Sequence, residues 1–158
     1  MQNPLAWIIE DSGLNRRVLT RVIESFGFEV RCFSSGSEVV NAMNDMWLTV
    51  PEIIFCDLMM PKMSGLELIR RIRQNSNFEK SVIIVISAVA DSETVEKAKA
   101  MNVSGYIIKP SSAARILKAL DHALNDFSIS DDLRSQIEQQ AVKTGSFKVF
   151  SEFRRKGA

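Results

Sequence analysis

The sequence has little cysteine, histidine and proline, and it has no long apolar run. Its 158 residues include two cysteines, one histidine and four prolines. Because the cysteines form no CxxC pair, a disulfide framework or a zinc site is not expected, and Cys32 and Cys56 are predicted to be buried, reduced thiols. No apolar stretch approaches the ~20 residues that cross a bilayer, so no membrane span is predicted.

The chain also has almost no net charge. Twenty lysines and arginines against 19 aspartates and glutamates leave a net charge of +1, so nothing global favours direct binding to nucleic acid or to an anionic membrane. No glycine-rich phosphate loop is present to support nucleotide hydrolysis. The start, MQNPLAWIIEDSG, lacks the basic region of a signal peptide, so we expect a cytoplasmic protein.

What the chain does contain is a regular alternation of short apolar runs with amphipathic stretches. Its length and its ordinary balance of apolar and charged residues predict one globular domain with some chain to spare. Runs rich in isoleucine and valine are typical of strands covered on both faces, and the intervening stretches have helical periodicity. The predicted strands are 5–9, 28–33, 53–56, 82–86 and 104–108.

Five such strand–helix pairs predict a doubly wound α/β fold, with a parallel sheet covered by helices on both faces. Right-handed crossovers favour the strand order 2-1-3-4-5. Gly27 follows the first predicted helix at a position suited to a left-handed residue, and serines or an aspartate precede the later helices as N-caps. Apolar positions that include Val39 and Trp47 mark the second helix. The pattern ends near residue 126, so we predict a domain over residues 1–126.

Polar or charged side chains stand at the carboxyl ends of four predicted strands. The carboxyl ends of parallel strands meet at one edge of an open sheet, where ligand sites form, so these side chains should lie close together. Three carboxylates, a hydroxyl and an ammonium group in one pocket indicate a divalent cation such as Mg²⁺ and a phosphoryl group. The residues are Glu10, Asp11, Asp57, Ser87 and Lys109.

Each of these residues has an ordinary structural explanation when it is considered alone. Acidic residues at strand ends are often solvated loop groups or helix caps, a serine there is often a turn residue, and a lysine is often an exposed charge. Their combination at one edge of the sheet favours the functional interpretation. The single histidine, His122, falls on the last predicted helix and is expected to be a surface residue and not a phosphodonor.

Four segments give the chain a resemblance to a known family. The segments IIEDSGLNRRVL, IIFCDLMMPKMSGLELIRRIR, VIIVISA and GYIIKPSS resemble, in order and in spacing, the receiver domain of two-component response regulators, especially the chemotaxis type. They lie between residue 5 and about residue 126. The resemblance implies a flavodoxin-like (βα)₅ fold and a role in phosphorelay signal transduction.

The resemblance also implies roles for the acidic residues. Asp57 would accept a phosphoryl group from a histidine on a partner kinase or phosphotransfer protein. Glu10, Asp11 and Asp57 would bind Mg²⁺, with the backbone carbonyl of Met59 as a further ligand. The only reactions expected of the protein itself are its own phosphorylation and autodephosphorylation, so it is not expected to be an enzyme acting on other substrates.

By the same resemblance, Ser87 and Lys109 would contact the phosphoryl oxygens, and the Lys109–Pro110 peptide would be cis. Ser87 and Tyr106 would form a switch, in which the serine moves toward the phosphoryl group and the aromatic ring rotates inward. The alternative for Tyr106 is an ordinary half-buried strand aromatic. Pro61 and Gly65 match the family's loop after Asp57, where we expect them only to form the turn and begin the next helix.

Two positions depart from what speeds phosphate loss in the family. The residue two after Asp57 is Met59, and the residue two after Ser87 is Val89. Polar side chains at these positions often assist the hydrolytic water, whereas two apolar side chains should exclude it. We therefore expect slow autodephosphorylation.

Three functions are compatible with these residues. The first is a stand-alone receiver that switches protein–protein interactions through the face formed by residues 92–126. The second is the N-terminal receiver of a larger transcription factor or signalling enzyme. The third, an aspartate-nucleophile phosphatase of the haloacid dehalogenase kind, is disfavoured because it needs an aspartate where Met59 stands.

The remaining residues, 127–158, are predicted to be a partly helical extension and not an independent domain. Their 32 residues are too few for a core of their own, and helical spacing of apolar residues covers 130–142. Phenylalanines then recur every third residue ahead of a basic cluster. Phe147, Phe150 and Phe153 have three possible arrangements: packing back on the receiver, pairing with a second chain, or docking on a partner. We favour docking on a partner or formation of a homodimer.

Overall fold

The computed structural model describes residues 3–125, 131–132, 134–136 and 139. Five strands alternate with five helices in this part of the chain. The strands are Leu5–Ile9 (β1), Glu29–Phe33 (β2), Ile53–Cys56 (β3), Val82–Ser87 (β4) and Gly105–Ile108 (β5). The helices are Gly13–Ser25 (α1), Gly36–Met43 (α2), Gly65–Gln74 (α3), Ser92–Ala100 (α4) and Ala113–Asn125 (α5), and a short 3₁₀ helix, Ser76–Phe78, precedes β4.

The strands form one parallel sheet in the order β2-β1-β3-β4-β5, which confirms the predicted doubly wound fold. Its register determines which side chains meet at the carboxyl edge. Ile9 pairs with Cys56, so the next residues, Glu10 and Asp57, leave the sheet side by side. Ser87 pairs with Ile108 across the other half of the sheet, which brings the end of β5 to the same level.

Two apolar clusters hold the helices on the sheet, one on each face. Side chains of α1 and α5, among them Ile23 and Leu120, pack on one face. The other face is covered by α2, α3 and α4, through residues such as Val39 and Ile69. Strands β3 and β4 are buried along their whole length, as their unbroken apolar sequences predict.

Side-chain caps fix where the helices begin. A serine or aspartate oxygen accepts a backbone N–H of the first turn in α1 to α4, which satisfies a donor that the helix cannot satisfy itself. The capping residues are Ser12, Ser35, Ser64 and Asp91. Gly27 has a φ of 88°, so the predicted left-handed position after α1 is confirmed.

The prediction that both thiols are buried is wrong for Cys32. Both cysteines are free, but only Cys56 is buried, and Cys32 is exposed. The difference follows from the sheet order, because Cys56 lies on the inner strand β3 whereas Cys32 lies on β2, an edge strand whose residues are mostly exposed. An apolar run in a sequence does not reveal which strand will be at the edge.

Trp47 does not belong to the second helix, although the helical spacing of apolar residues predicted that it would. Helix α2 ends at Met43, and Trp47 lies in the following loop with 87% of its surface exposed. Asn44 and Asp45 intervene, and both favour turns because their side chains compete for backbone hydrogen bonds. The Asp45 carboxylate indeed accepts the N–H of Trp47, at 3.0 Å.

Arg73, near the end of α3, is bound to four backbone carbonyls. One of these bonds spans 2.8 Å, and all of them tie α3 to the segments that precede β4 and β5. The acceptors are Phe78, Ser81, Met101 and Asn102. We therefore expect Arg73→Met to lower the free energy of unfolding by about 2 kcal/mol, since hydrogen bonds to a charged group are lost and their carbonyls depend on water instead.

Urea denaturation of the Arg73 variant measures this loss. The matched control is Arg70→Met, because Arg70 is an exposed arginine of the same helix. An Arg73 variant as stable as the Arg70 variant would contradict the assignment.

None of the described helices is long and apolar enough to cross a membrane. In the predicted extension, residues 131–132, 134–136 and 139 are helical. Phe147, Phe150 and Phe153 lie outside the described residues, and the domain boundary at residue 126 stays a prediction.

Candidate functional site

A buried ionic cluster lies at the carboxyl edge of the sheet. The Lys109 ammonium, just after β5, lies 2.8 Å from an oxygen of Glu10 and 2.8 Å from an oxygen of Asp57. Glu10 and Asp57 follow β1 and β3, and their side chains are only 1% and 3% exposed. Three strands that are distant in the sequence thus bring their polar residues into direct contact, as predicted.

Backbone groups hold the two buried carboxylates in place. The second oxygen of Asp57 accepts the N–H of Met59 at 3.0 Å, and the second oxygen of Glu10 accepts the N–H of Ser12 at 3.1 Å. The Lys109 N–H donates to the Ser87 carbonyl at 2.9 Å, and the predicted cis peptide follows between Lys109 and Pro110. Each acid is therefore oriented by one backbone donor and one ammonium group.

The protonation of the cluster follows from its burial and its charges. Burial raises the pKa of Glu10 above its usual range, although the hydrogen bonds from Lys109 and from the Ser12 N–H oppose the shift; the nearby charge of Asp57 raises it further. Partial burial of Lys109 would lower its pKa, but its hydrogen bonds to Asp57 and Glu10 outweigh this and raise it. Lys109 therefore carries a positive charge at neutral pH.

The acidic residues form a set that fits a divalent metal. One oxygen each from Glu10, Asp11 and Asp57 lies within 4.8 Å of the others. Glu10 and Asp57 are buried, whereas Asp11 is exposed and faces the solvent side of the set. Carboxylate oxygens open to water on one side are the ligands that Mg²⁺ prefers, and one lysine does not balance three carboxylates. The donor set thus supports a site for a hard divalent cation.

Ser87 and Tyr106 meet at the loop that follows β4. The buried Ser87 hydroxyl accepts the N–H of Val89 at 3.2 Å, and the Tyr106 hydroxyl donates to the Val89 carbonyl at 2.7 Å. Burial raises the pKa of Tyr106, although a hydrogen bond from Ser87 opposes this, so the phenol stays protonated and can donate. The backbone of one residue, Val89, therefore connects Ser87 at the pocket edge to Tyr106 on the outer strand.

Arg16 is a site residue that could not be recognised from the sequence pattern. Its guanidinium donates to the carbonyl of Glu10 at 2.7 Å and to that of Asp11 at 3.3 Å. These bonds fasten the loop that carries two of the three acids. Its position in the sequence was the one indication of this role, because a basic residue in the first turn of α1 lies close to the loop that precedes the helix.

Gly65 does more than form the turn and begin α3, the roles expected from its sequence. A Cβ at this position would collide with the carbonyl oxygen of Asp57 and would lie 2.6 Å from Cα of Leu58. The Gly65 N–H also donates to the Leu58 carbonyl at 2.9 Å. The start of α3 therefore packs against the backbone of Asp57, an approach that only glycine allows.

The chain matches a known family model and known structures. The model for the response regulator receiver domain matches residues 6–121. Solved structures with the same fold include chemotaxis protein CheY4 of Vibrio cholerae, with 23% identity, a TM-score of 0.68 and coverage of 77% of this chain and 99% of that one. A response regulator receiver protein of Pseudomonas putida is 25% identical, with a TM-score of 0.68 and coverage of 77% and 98%.

Curated relatives differ in how much of them the chain covers. The chain is 28% identical to the DNA-binding transcriptional regulator NtrC of Klebsiella pneumoniae over 127 residues. This aligned region covers 80% of this chain but 26% of NtrC. The sensory/regulatory protein RpfC of Xanthomonas campestris matches at 29% over 72% of this chain and 15% of its own length. The polar-differentiation response regulator DivK of Brucella ovis matches at 27%, over 75% of this chain and 94% of its own length. The chain thus spans about a quarter or less of the two longer relatives.

Proposed function

The chain belongs to the response regulator receiver domain family, and on that premise we propose that Asp57 accepts a phosphoryl group from a histidine of a partner kinase or phosphotransfer protein. The observation that carries the proposal is the contact of one lysine, Lys109, with both buried carboxylates at the carboxyl edge of the sheet. Such a cluster holds a nucleophile next to a fixed positive charge.

In the proposed reaction a carboxylate oxygen of Asp57 attacks the phosphorus of a phosphohistidine. The new phosphorus–oxygen bond forms as the phosphorus–nitrogen bond breaks, and the imidazole nitrogen leaves with its electron pair and takes up a proton. Lys109 and the N–H of Met59 orient the carboxylate, and the Lys109 ammonium stabilises the added negative charge. Mg²⁺ bound by Glu10, Asp11, Asp57 and the Met59 carbonyl would supply further positive charge.

Phosphorylation would be read out through Ser87 and Tyr106. When the Ser87 hydroxyl turns to donate to a phosphoryl oxygen, it no longer accepts the Val89 N–H, and the Val89 carbonyl that Tyr106 holds changes position with it. The elements on either side of Tyr106, within residues 92–126, are the surface that we propose for a downstream protein partner or a second copy.

The proposed function also bears on the cellular compartment of the protein and on whether the receiver stands alone or belongs to a larger regulator. Free thiols at Cys32 and Cys56 fit a reducing environment, so we place this phosphoprotein in the cytoplasm. A stand-alone regulator such as DivK and a receiver within a larger regulator such as NtrC are both compatible with the same pocket.

We propose that the protein does not turn over external substrates. Hydrolysis of phosphomonoesters by the wild-type chain, if Asp57→Ala abolished it, would argue for the phosphatase alternative instead.

Phosphorylation by a small phosphodonor tests the proposed function without the unknown kinase. Incubation with acetyl phosphate and MgCl₂ should add one phosphoryl group to the intact chain, as measured by mass spectrometry, and chelation of the metal should prevent it. Asp57→Asn should remain unmodified, whereas the matched variant Asp131→Asn, at an exposed aspartate outside the pocket, should be modified normally. Modification of the Asp57 variant would sink the proposal.

The apolar side chain of Met59 should slow the loss of phosphate. Its backbone N–H binds Asp57 while 61% of its surface is exposed, so it can cover the phosphoryl group from the solvent side. We expect Met59→Asn to speed autodephosphorylation about tenfold, or roughly 1.4 kcal/mol of barrier height, because an amide can hold the attacking water. Met46→Asn, at an exposed methionine away from the pocket, is the control. Equal rates of phosphate loss from the two phosphorylated variants would contradict the proposal that Met59 shields the phosphoryl group from water.

A further inference from the structure

An exposed apolar pair stands at the end of the sheet opposite the ionic cluster. Met46 and Trp47, in the loop between α2 and β3, are each 87% exposed. The bond from the Trp47 N–H to the Asp45 carboxylate gives this loop a defined turn. Large apolar side chains that are exposed on an ordered loop indicate a surface that contacts another segment or protein.

Beside this pair lies a groove of about 600 Å³ at the amino ends of the strands. Leu5, Leu48 and Trp47 supply apolar walls. Leu5 begins β1 and the ionic cluster follows the end of that five-residue strand, so the groove lies about 17 Å from the cluster. A ligand here would leave the phosphorylation pocket open.

The rim of this groove carries an excess of negative charge. Three acidic residues line it against one arginine, Arg31. The acidic residues are Glu29, Asp45 and Glu52. An occupant that combines apolar side chains with positive charge is therefore favoured.

The chain itself supplies such an occupant. Gln136, a described residue of the extension, lines the groove together with Trp47. The terminal segment, residues 140–158, begins four residues later and carries five lysines and arginines against one glutamate, with Phe147, Phe150 and Phe153 among them. Phe147 lies eleven positions after Gln136, and an extended chain of that length spans up to about 36 Å, which is long enough to return to the groove.

We propose that the terminal segment docks in this groove of its own chain, with its phenylalanines on Met46 and Trp47 and its basic residues near the acidic rim. The tether favours this occupant over a second copy. A short linker gives an effective concentration on the order of 1 mM, so a segment with an intrinsic affinity of ~0.1 mM covers Trp47 about nine-tenths of the time. The proposal is independent of the phosphorylation chemistry.

Tryptophan fluorescence of the 158-residue chain tests the proposal. The sequence has two tryptophans, and Trp7 is fully buried, so acrylamide quenching above the Trp7 background reports on Trp47. The triple variant Phe147→Ser, Phe150→Ser, Phe153→Ser should raise the quenching constant of Trp47 several-fold. The same triple change in a Trp47→Phe background should leave Trp7 emission unchanged, which shows that the core is intact.

Charge variants and dilution complete the test. Glu29→Lys should raise Trp47 quenching, whereas Glu79→Lys, an exposed glutamate elsewhere on the surface, should not. Equal quenching of Trp47 in the wild-type chain and the triple variant would overturn the proposal. Shielding that disappears on dilution would also overturn it, because the occupant would then be a second copy.

Discussion

Replacing Lys109 with methionine is expected to lower the free energy of unfolding by about 3 kcal/mol at neutral pH in metal-free buffer. The change removes the ammonium group that both Glu10 and Asp57 contact at 2.8 Å. Both carboxylates are almost fully buried, so neither can replace the lost partner with bulk water. Breaking a buried ion pair on one side costs more than the pair contributes, because an uncompensated charge stays behind.

The loss of stability should depend on pH in a defined direction. Burial already raises the pKa of Glu10, and removal of the Lys109 hydrogen bond, which opposes that shift, raises it further. A carboxyl group whose pKa is higher in the folded state than in the unfolded state binds its proton more tightly when folded. The difference in unfolding free energy between the wild type and the Lys109→Met variant should therefore be small near pH 4 and should grow as the pH rises toward about 7. Urea denaturation at several pH values measures it.

Two comparisons separate this effect from a general loss of packing. Lys118→Met, at an exposed lysine on α5, should leave stability within about 0.5 kcal/mol of the wild-type value at every pH. Added Mg²⁺ should stabilise the Lys109 variant more than the wild type, since a cation binding the same carboxylates offsets the missing ammonium. A pH-independent deficit that Mg²⁺ does not reduce would contradict the proposed electrostatic role of Lys109.

Gly65→Ala is expected to destabilise the protein by about 3 kcal/mol and to slow phosphorylation of Asp57. The new methyl group would collide with the Asp57 carbonyl oxygen and lie 2.9 Å from its carbonyl carbon. These atoms are backbone, so only a shift of α3 or of the strand end relieves the contact. Either shift weakens the bond from the Gly65 N–H to the Leu58 carbonyl and moves the phosphoacceptor.

Other glycines provide graded controls for this prediction. At Gly13 the nearest atom to a new Cβ is a guanidinium nitrogen of Arg16 at 3.7 Å, an ordinary contact, so Gly13→Ala should be close to neutral. At Gly36 the conflict is with the flexible side chain of Met63, at 2.7 Å, so Gly36→Ala should be intermediate. Thermal unfolding ranks the three variants, and a Gly65 variant as stable as the Gly13 variant would refute the tight packing of α3 on Asp57.

The fold and the members of the pocket could be predicted because both follow from local patterns. Inner strands such as β3 and β4 are buried on both faces and therefore appear in the sequence as unbroken apolar runs. Once the sheet is parallel, the residue after each run must lie at the same edge, and this places Glu10, Asp57 and Lys109 together without knowledge of any contact.

Features that depend on contacts between distant elements could not be predicted in this way. The exposure of Cys32 depends on the position of β2 at the sheet edge, and the roles of Arg16 and Arg73 depend on which carbonyls the fold leaves within reach. Long basic side chains have the same sequence signature whether they point to solvent or bind a backbone group. For Gly65, the sequence indicated a turn, while the collision with Asp57 becomes visible only when α3 is packed on β3.

Locating the phosphoryl group chemically tests directly whether Asp57 is the phosphoacceptor. After phosphorylation by acetyl phosphate with Mg²⁺, borohydride reduces an aspartyl phosphate to homoserine, and peptide sequencing by mass spectrometry then identifies the modified residue. We expect homoserine at position 57 and at no other aspartate. Homoserine at another position, or an unmodified Asp57 in a chain that has gained a phosphoryl group, would contradict it.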